Sequence, residues 1–207
     1  MASTDNPGAL KRAWTFLKQP SAKYSLLGLL VVGFFSGIIF WGGFNTVLDA
    51  TNKLEFCIGC HEMRDTVYEE YKKTIHYSNR TGVRAVCSDC HVPKDWTHKM
   101  IRKIEASGEV WGKITGVIST KEKFEAKRYE LATRAWARMV TTDSIECRNC
   151  HHIDSMSPEL QTEKAQRRHA KAKLEGKTCI ECHFGIAHND PSGPESPSDI
   201  KARLLGR

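Results

Sequence analysis

The phrase Cys-x-x-Cys-His occurs four times and uses every cysteine in the chain. The copies are Cys57, Cys60 and His61; Cys87, Cys90 and His91; Cys147, Cys150 and His151; and Cys179, Cys182 and His183. Each supplies what covalent haem attachment needs. Two thiols are spaced to form thioethers with the two vinyl groups of one porphyrin, and the adjacent imidazole can bind the iron. Disulfides would use the cysteines but leave the repeated histidine unexplained. Zinc knuckles would consume the thiolates in two tetrahedral sites and leave the four motif histidines idle. Four c-type haems account for all of these residues.

The spacing of the motifs repeats. Cys57 to Cys87 is 30 residues, and Cys147 to Cys179 is 32. Between the motifs of each pair lies one further histidine, His76 or His169, and after each pair another, His98 or His188. The chain therefore reads as two di-haem units. His76, His169 and His188 are the natural sixth ligands, because bis-imidazole iron is low-spin and suited to electron transfer. His98, beside Lys99 on a charged stretch, is the weaker candidate. His152 follows a motif histidine and is expected to face solvent. This supply of extra histidines argues against a terminal reductase, which needs an open iron in a substrate cavity.

These sites need a scaffold. Only 40% of the 207 residues are apolar, slightly low for a globular protein, and many of those lie in one N-terminal segment. Four macrocycles would supply the missing buried surface, so the haems are expected to be structural as well as redox-active. The formal charge of +7 does not indicate nucleic acid. Lys11, Arg12, Lys18 and Lys23 against Asp5 carry +3 of it. A ferric haem with two ionised propionates carries about −1, so four cancel the rest.

The order along the chain follows. Residues 1–23 read as a basic cytoplasmic tail. Residues 24–48, Tyr24 to Leu48, contain no formal charge, and a helix of that length spans roughly 37 Å against a hydrocarbon core of roughly 30 Å. The length and the poor cleavage sequence after it favour an uncleaved signal anchor. The basic flank puts the N-terminus in the cytoplasm and the rest in the periplasm of a Gram-negative cell, on the inner membrane. Residues 49–188 form the periplasmic tetrahaem domain, with di-haem units over about 49–120 and 121–188.

Helical spacing is expected over Arg64 to His76, Asp95 to about Ala106 and about Lys121 to Val140. A Ser119/Glu122 capping box opens the third of these, and Phe124, Leu131, Ala135, Trp136 and Met139 lie along it as one stripe. A fourth helix is expected with Ser157 as N-cap and Gly176 past its end. Residues 189–207 read as a mobile tail. No strand pattern appears. The fold class is mainly α: one transmembrane helix and a compact multihaem cytochrome domain.

The sequence resembles the NapC/NirT family of membrane-anchored tetrahaem cytochromes c. The resemblance covers nearly the whole chain and is most specific at Cys87-Ser-Asp-Cys-His-Val-Pro, Lys123-Phe-Glu-Ala-Lys-Arg, Thr142-Asp-Ser-Ile-Glu-Cys-Arg-Asn-Cys-His and Cys179-Ile-Glu-Cys-His-Phe-Gly-Ile-Ala-His. It implies a quinol dehydrogenase that oxidises menaquinol or ubiquinol and passes electrons to a periplasmic reductase, nitrate reductase first among them. A nitrite reductase or several acceptors are the alternative within the family, and a passive tethered carrier is the alternative outside it. The resemblance also implies that Met63 can replace His61 as axial ligand of haem 1, leaving the choice between them open. It implies a lysine and an acidic residue at the quinol, here Lys103 and Glu109, and a histidine of one half binding a haem of the other. Some relatives have histidine where Lys94 stands. Relatives form tight complexes, so an oligomer is compatible with the resemblance.

Overall fold

In a computed structural model, residues 8–18 and 23–206 are described. Among them there are helices, short 3-10 turns and no strand. The chain divides into two compact units, Met1–Asp49 and Ala50–Arg207.

The first unit holds α1 (Ala9–Lys18) and most of α2 (Leu26–Ala50). Residues 1–7 and 19–22 of the expected basic tail lie outside the described residues. Helix α2 starts and ends two residues later than the uncharged run, and none of its residues is buried. A long apolar helix none of whose side chains is buried belongs in lipid.

The second unit begins with short pieces: α3 (Leu54–Ile58), α4 (His61–Arg64), α5 (Val67–Tyr71) and α6 (Cys87–His91). The continuous helix expected over Arg64–His76 is not formed. Thr66 breaks it, with φ −122° and ψ −96° and its hydroxyl donating to the Glu62 carbonyl. The Tyr71 hydroxyl donates to the carbonyls of His76 and Ala85, which ties the loop before motif 2 to the end of α5.

Helix α7 (Trp96–Ile114) runs eight residues beyond the expected end. Its N-cap is Asp95, which accepts from the His98 N–H at 3.0 Å. Helix α8 (Lys121–Thr141) is capped by Thr120, which accepts from the Lys123 N–H at 3.3 Å; the expected Ser119 cap is one residue too early. Phe124, Trp136, Met139 and Val140 of α8 are buried. Leu131 and Ala135 of the expected stripe are only partly so.

After α9 (Ile145–Arg148), Ser157 and Pro158 open a separate 3-10 turn, and Thr162 caps α10 (Glu163–Leu174). Gly176, at φ +60°, turns the chain out of α10. The expected mobile tail contains α11 (Pro197–Leu204), opened by a Ser196/Asp199 capping box. Ile200 of α11 is fully buried. A Cβ at Gly193 would overlap the Tyr129 ring, and the Tyr129 hydroxyl accepts from the Glu195 N–H at 2.8 Å. The C-terminal segment is thus docked on α8.

The apolar core is Trp136, Met139, Val140, Ile180 and Ile200, with Tyr129 and Phe184 packed against it. That is little for 158 residues (Ala50–Arg207). Ala50–Arg207 forms one compact unit.

Candidate functional site

The four motifs are packed in chain order. The Cys57 and Cys87 thiols are hydrogen-bonded, and so are those of Cys147 and Cys179. Helix α6 packs on α9, which brings motifs 2 and 3 together. Ser144 joins the second pair. It sits with Asp143 in the left-handed region, at φ 52° and 51°. It is fully buried, and its hydroxyl accepts from the Ile180 N–H at 3.2 Å. Two consecutive non-glycine residues there cost free energy; the bond that spans motifs 3 and 4 offsets it.

The histidines meet in pairs. His91 and His188 have ring centroids 6.1 Å apart, His76 and His151 6.1 Å, and His169 and His183 6.2 Å. An iron held about 2 Å from one nitrogen of each of two imidazoles separates their centroids by roughly 6 Å. Each pair joins a motif histidine to one outside the motifs, so these residues fit the group the sequence demands. Two pairs cross the halves of the chain, His76 with His151 and His91 with His188. Burial pushes His91 down to about 3 and also lowers His76, His183 and His188. A neutral imidazole keeps the lone pair that a metal requires. His169 Nδ1 lies 2.7 Å from Gln161 Oε1, which fixes its ring and frees Nε2. Among the described residues no three His, Cys, Asp or Glu side chains converge on one metal ion, so the tetrahedral zinc arrangement has no counterpart there.

His61 and His98 have different surroundings. His98 Nδ1 is 2.7 Å from Asp95 Oδ1 at the start of α7, not against a motif histidine. His61 Nε2 is 3.2 Å from the buried Glu62 carboxylate. Met63 follows in the same turn, partly buried. Burial raises the Glu62 carboxyl, but the Lys113 ammonium, at 2.7 and 2.8 Å from its two oxygens, together with a backbone N–H and His61 more than offsets this and leaves it below the usual carboxylate range.

Helix α7 carries the quinol candidates. Lys103 Nζ donates to Thr51 Oγ1 at 2.7 Å. Glu109 accepts from Arg102 at 2.7 Å, and Arg102 Nε also donates to the His91 carbonyl at 3.2 Å. Arg102, Glu109 and Lys113 follow one another along one face at i, i+7 and i+11. Sequence reasoning missed Arg102, Lys113 and Glu62; the helical spacing of the first two with Glu109 was the available signal. It also missed Glu146, a buried carboxylate without a hydrogen-bond partner, which burial pushes upward. The basic side chains of α10 are exposed, and Arg167, Lys171 and Lys173 have acidic partners.

Comparison with known proteins places this arrangement. The model of the NapC/NirT cytochrome c family, N-terminal region, matches residues 19–193. The chain belongs to the NapC/NirT cytochrome c family. It is 63% identical over 177 residues to the denitrification system component NirT of Stutzerimonas stutzeri, covering 86% of this chain and 88% of that one. It is 52% identical over 192 residues to the cytochrome c-type protein NapC of Escherichia coli K12, covering 92% and 96%. To the NapC of Paracoccus pantotrophus it is 55% identical over 179 residues, 86% of this chain and 76% of that one. No solved structure matches. As a NapC/NirT protein the chain is a membrane-anchored electron-transfer cytochrome with covalently bound haem c.

Proposed function

We propose that the protein oxidises membrane quinol, menaquinol or ubiquinol, and delivers the electrons to a periplasmic reductase, nitrate reductase foremost. The observation that carries this is the difference between His61 and the other motif histidines. His91, His151 and His183 each face a second imidazole, the environment of closed electron-transfer irons. His61, nearest in sequence to α2, faces a carboxylate instead. When bound, four haems supply one-electron relay centres; Met63 or His61 holds the first. Anchorage is in the inner membrane, with the basic N-terminus cytoplasmic and the haem domain periplasmic.

The chain's own groups handle the substrate and its protons. Lys103 presents a cation to the developing quinol anion, and Glu109 accepts a hydroxyl proton. Arg102 fixes Glu109 by one of its oxygens, which sets the direction of the other. The reading is tested by reduction of the detergent-solubilised, haem-loaded protein by menaquinol and ubiquinol analogues, followed in the haem absorption bands. Fast, inhibitor-sensitive reduction is expected, slowed at least about tenfold by Glu109→Gln, with dithionite still reducing every haem. Reduction by dithionite but by neither quinol would make the protein a carrier fed by another protein. The higher identity to the denitrification component NirT favours a second acceptor class, denitrification enzymes. Turnover of purified nitrate and nitrite reductases with the reduced protein separates the two.

A further inference from the structure

Helix α7 is two-faced in a way electron transfer does not require. At about 100° per residue, all its charged side chains fall on one side. Arg102 and Lys113 of that side reach the His91 carbonyl and the Glu62 carboxylate beside His61, so the motifs lie there. The opposite arc carries no formal charge, and all its large side chains but Met100 are bare. Ile104 is 69% exposed, Trp111 66% and Ile114 70%, with Ile101 and Trp96 at 50% and 56%. An apolar patch of this kind on a soluble surface marks a site that something covers.

Its place in the chain says what. Thr51 and Asn52 directly follow α2, the membrane helix, and both are held by this unit. Lys103 of α7 donates to Thr51 Oγ1 at 2.7 Å, and Ser88 donates to the Asn52 carbonyl at 2.7 Å. From Lys103 to Ile114 is about 16 Å of helix, so the whole bare arc stays close to the point where the chain leaves the bilayer. The helix is too charged to cross a membrane. Its mix of a Lys/Arg-bearing face and a Trp/Ile face is that of a helix lying in the interface.

We propose that α7 is a second membrane contact. It rests in the bilayer surface with Ile104, Trp111 and Ile114 in the headgroup–acyl boundary, and its charged face is turned to the motifs. The bilayer, not a second copy of the chain, covers this face. The consequence is a fixed height of the haem domain above the lipid, which a single-span tether alone does not impose.

The test uses the full-length, haem-loaded protein, in which thioether formation consumes all eight native cysteines. Ile104→Cys, Trp111→Cys and Ile114→Cys are spin-labelled in vesicles of phosphatidylethanolamine and phosphatidylglycerol, with Leu174→Cys on α10 for comparison. Collision rates with oxygen and a water-soluble nickel chelate are read relative to a quencher-free sample. The oxygen-to-nickel ratio is expected to be at least about fivefold higher on α7 than at position 174. Equal ratios would overturn the proposal. Exclusion of both quenchers would also overturn it, by showing that protein or porphyrin covers the face. So would spin–spin broadening that disappears on dilution with unlabelled protein, the mark of a second copy. If the variants fail to load haem, a photoactivatable carbene phospholipid applied to the unaltered protein decides the same question: adducts on α7 residues 101–114 support the proposal, and adducts confined to α2 overturn it.

Discussion

His91 is half-buried beside a histidine 97 positions further along the chain, His188, and such pairings decide what each single substitution does. His188→Ala is expected to alter the haem at Cys87 and Cys90 rather than its sequence neighbour at Cys179 and Cys182. His76→Ala should likewise alter the haem at Cys147 and Cys150. Each should convert one of the three bis-imidazole, low-spin centres, read by near-infrared magnetic circular dichroism. A spectrum with all three of these centres still low-spin would refute the pairing. Ser144→Ala removes the hydroxyl that accepts from the Ile180 N–H and should cost about 1–3 kcal/mol in unfolding of the holoprotein. The motif cysteines and histidines were legible in the sequence because attachment chemistry fixes their spacing. His76, His169 and His188 were legible as extras, but which motif each one meets was not, because that depends on tertiary packing. Arg102 and Glu62 were overlooked because nothing local distinguishes a buried ion-pair member from an exposed one.

The elements were legible where one helix buries one stripe. Helix α8 was read to within a residue, while Arg64–His76 misled because apolar periodicity cannot register the Thr66 hydroxyl's claim on a backbone carbonyl. The C-terminal segment misled because its Pro/Ser/Gly composition hides a single anchoring residue, Ile200; Ser196 followed by Asp199 was the overlooked helix start. A pH effect belongs to this scale. Arg128 of α8 binds the Glu70 carboxylate of α5, which also accepts from the Asn189 N–H at 2.9 Å. Burial raises the Glu70 carboxyl, but these bonds more than offset it and hold it below its ordinary 4.5. The stabilisation is therefore complete above about pH 4.5 and is lost as the pH falls through the lowered value. Glu70→Gln should cost about 1–2 kcal/mol at pH 7 and flatten the acid limb of a Tm-against-pH curve. An unchanged acid limb would assign that limb to other carboxylates.

For the molecule as a whole, the sequence indicated an anchored, helical, haem-bearing chain, in keeping with the helical elements and the family. The repeat in motif spacing does not require a separate core for each copy. With only five residues in its main apolar cluster, the chain without haem is expected to lack a cooperative thermal transition. Calorimetry on protein made without the attachment machinery checks this; a sharp transition near that of the holoprotein would show that the polypeptide core suffices. The crossed histidine pairs also bear on biogenesis. A chain translocated in sequence order behind its cytoplasmic-N-terminus anchor delivers Cys87, Cys90 and His91 long before His188 emerges. The second attachment site would therefore remain unfinished until nearly the last residue has crossed. A premature stop anywhere before position 188 would then damage a centre whose own motif had been delivered intact, and quality control at the membrane could recognise truncated chains by that one incomplete site.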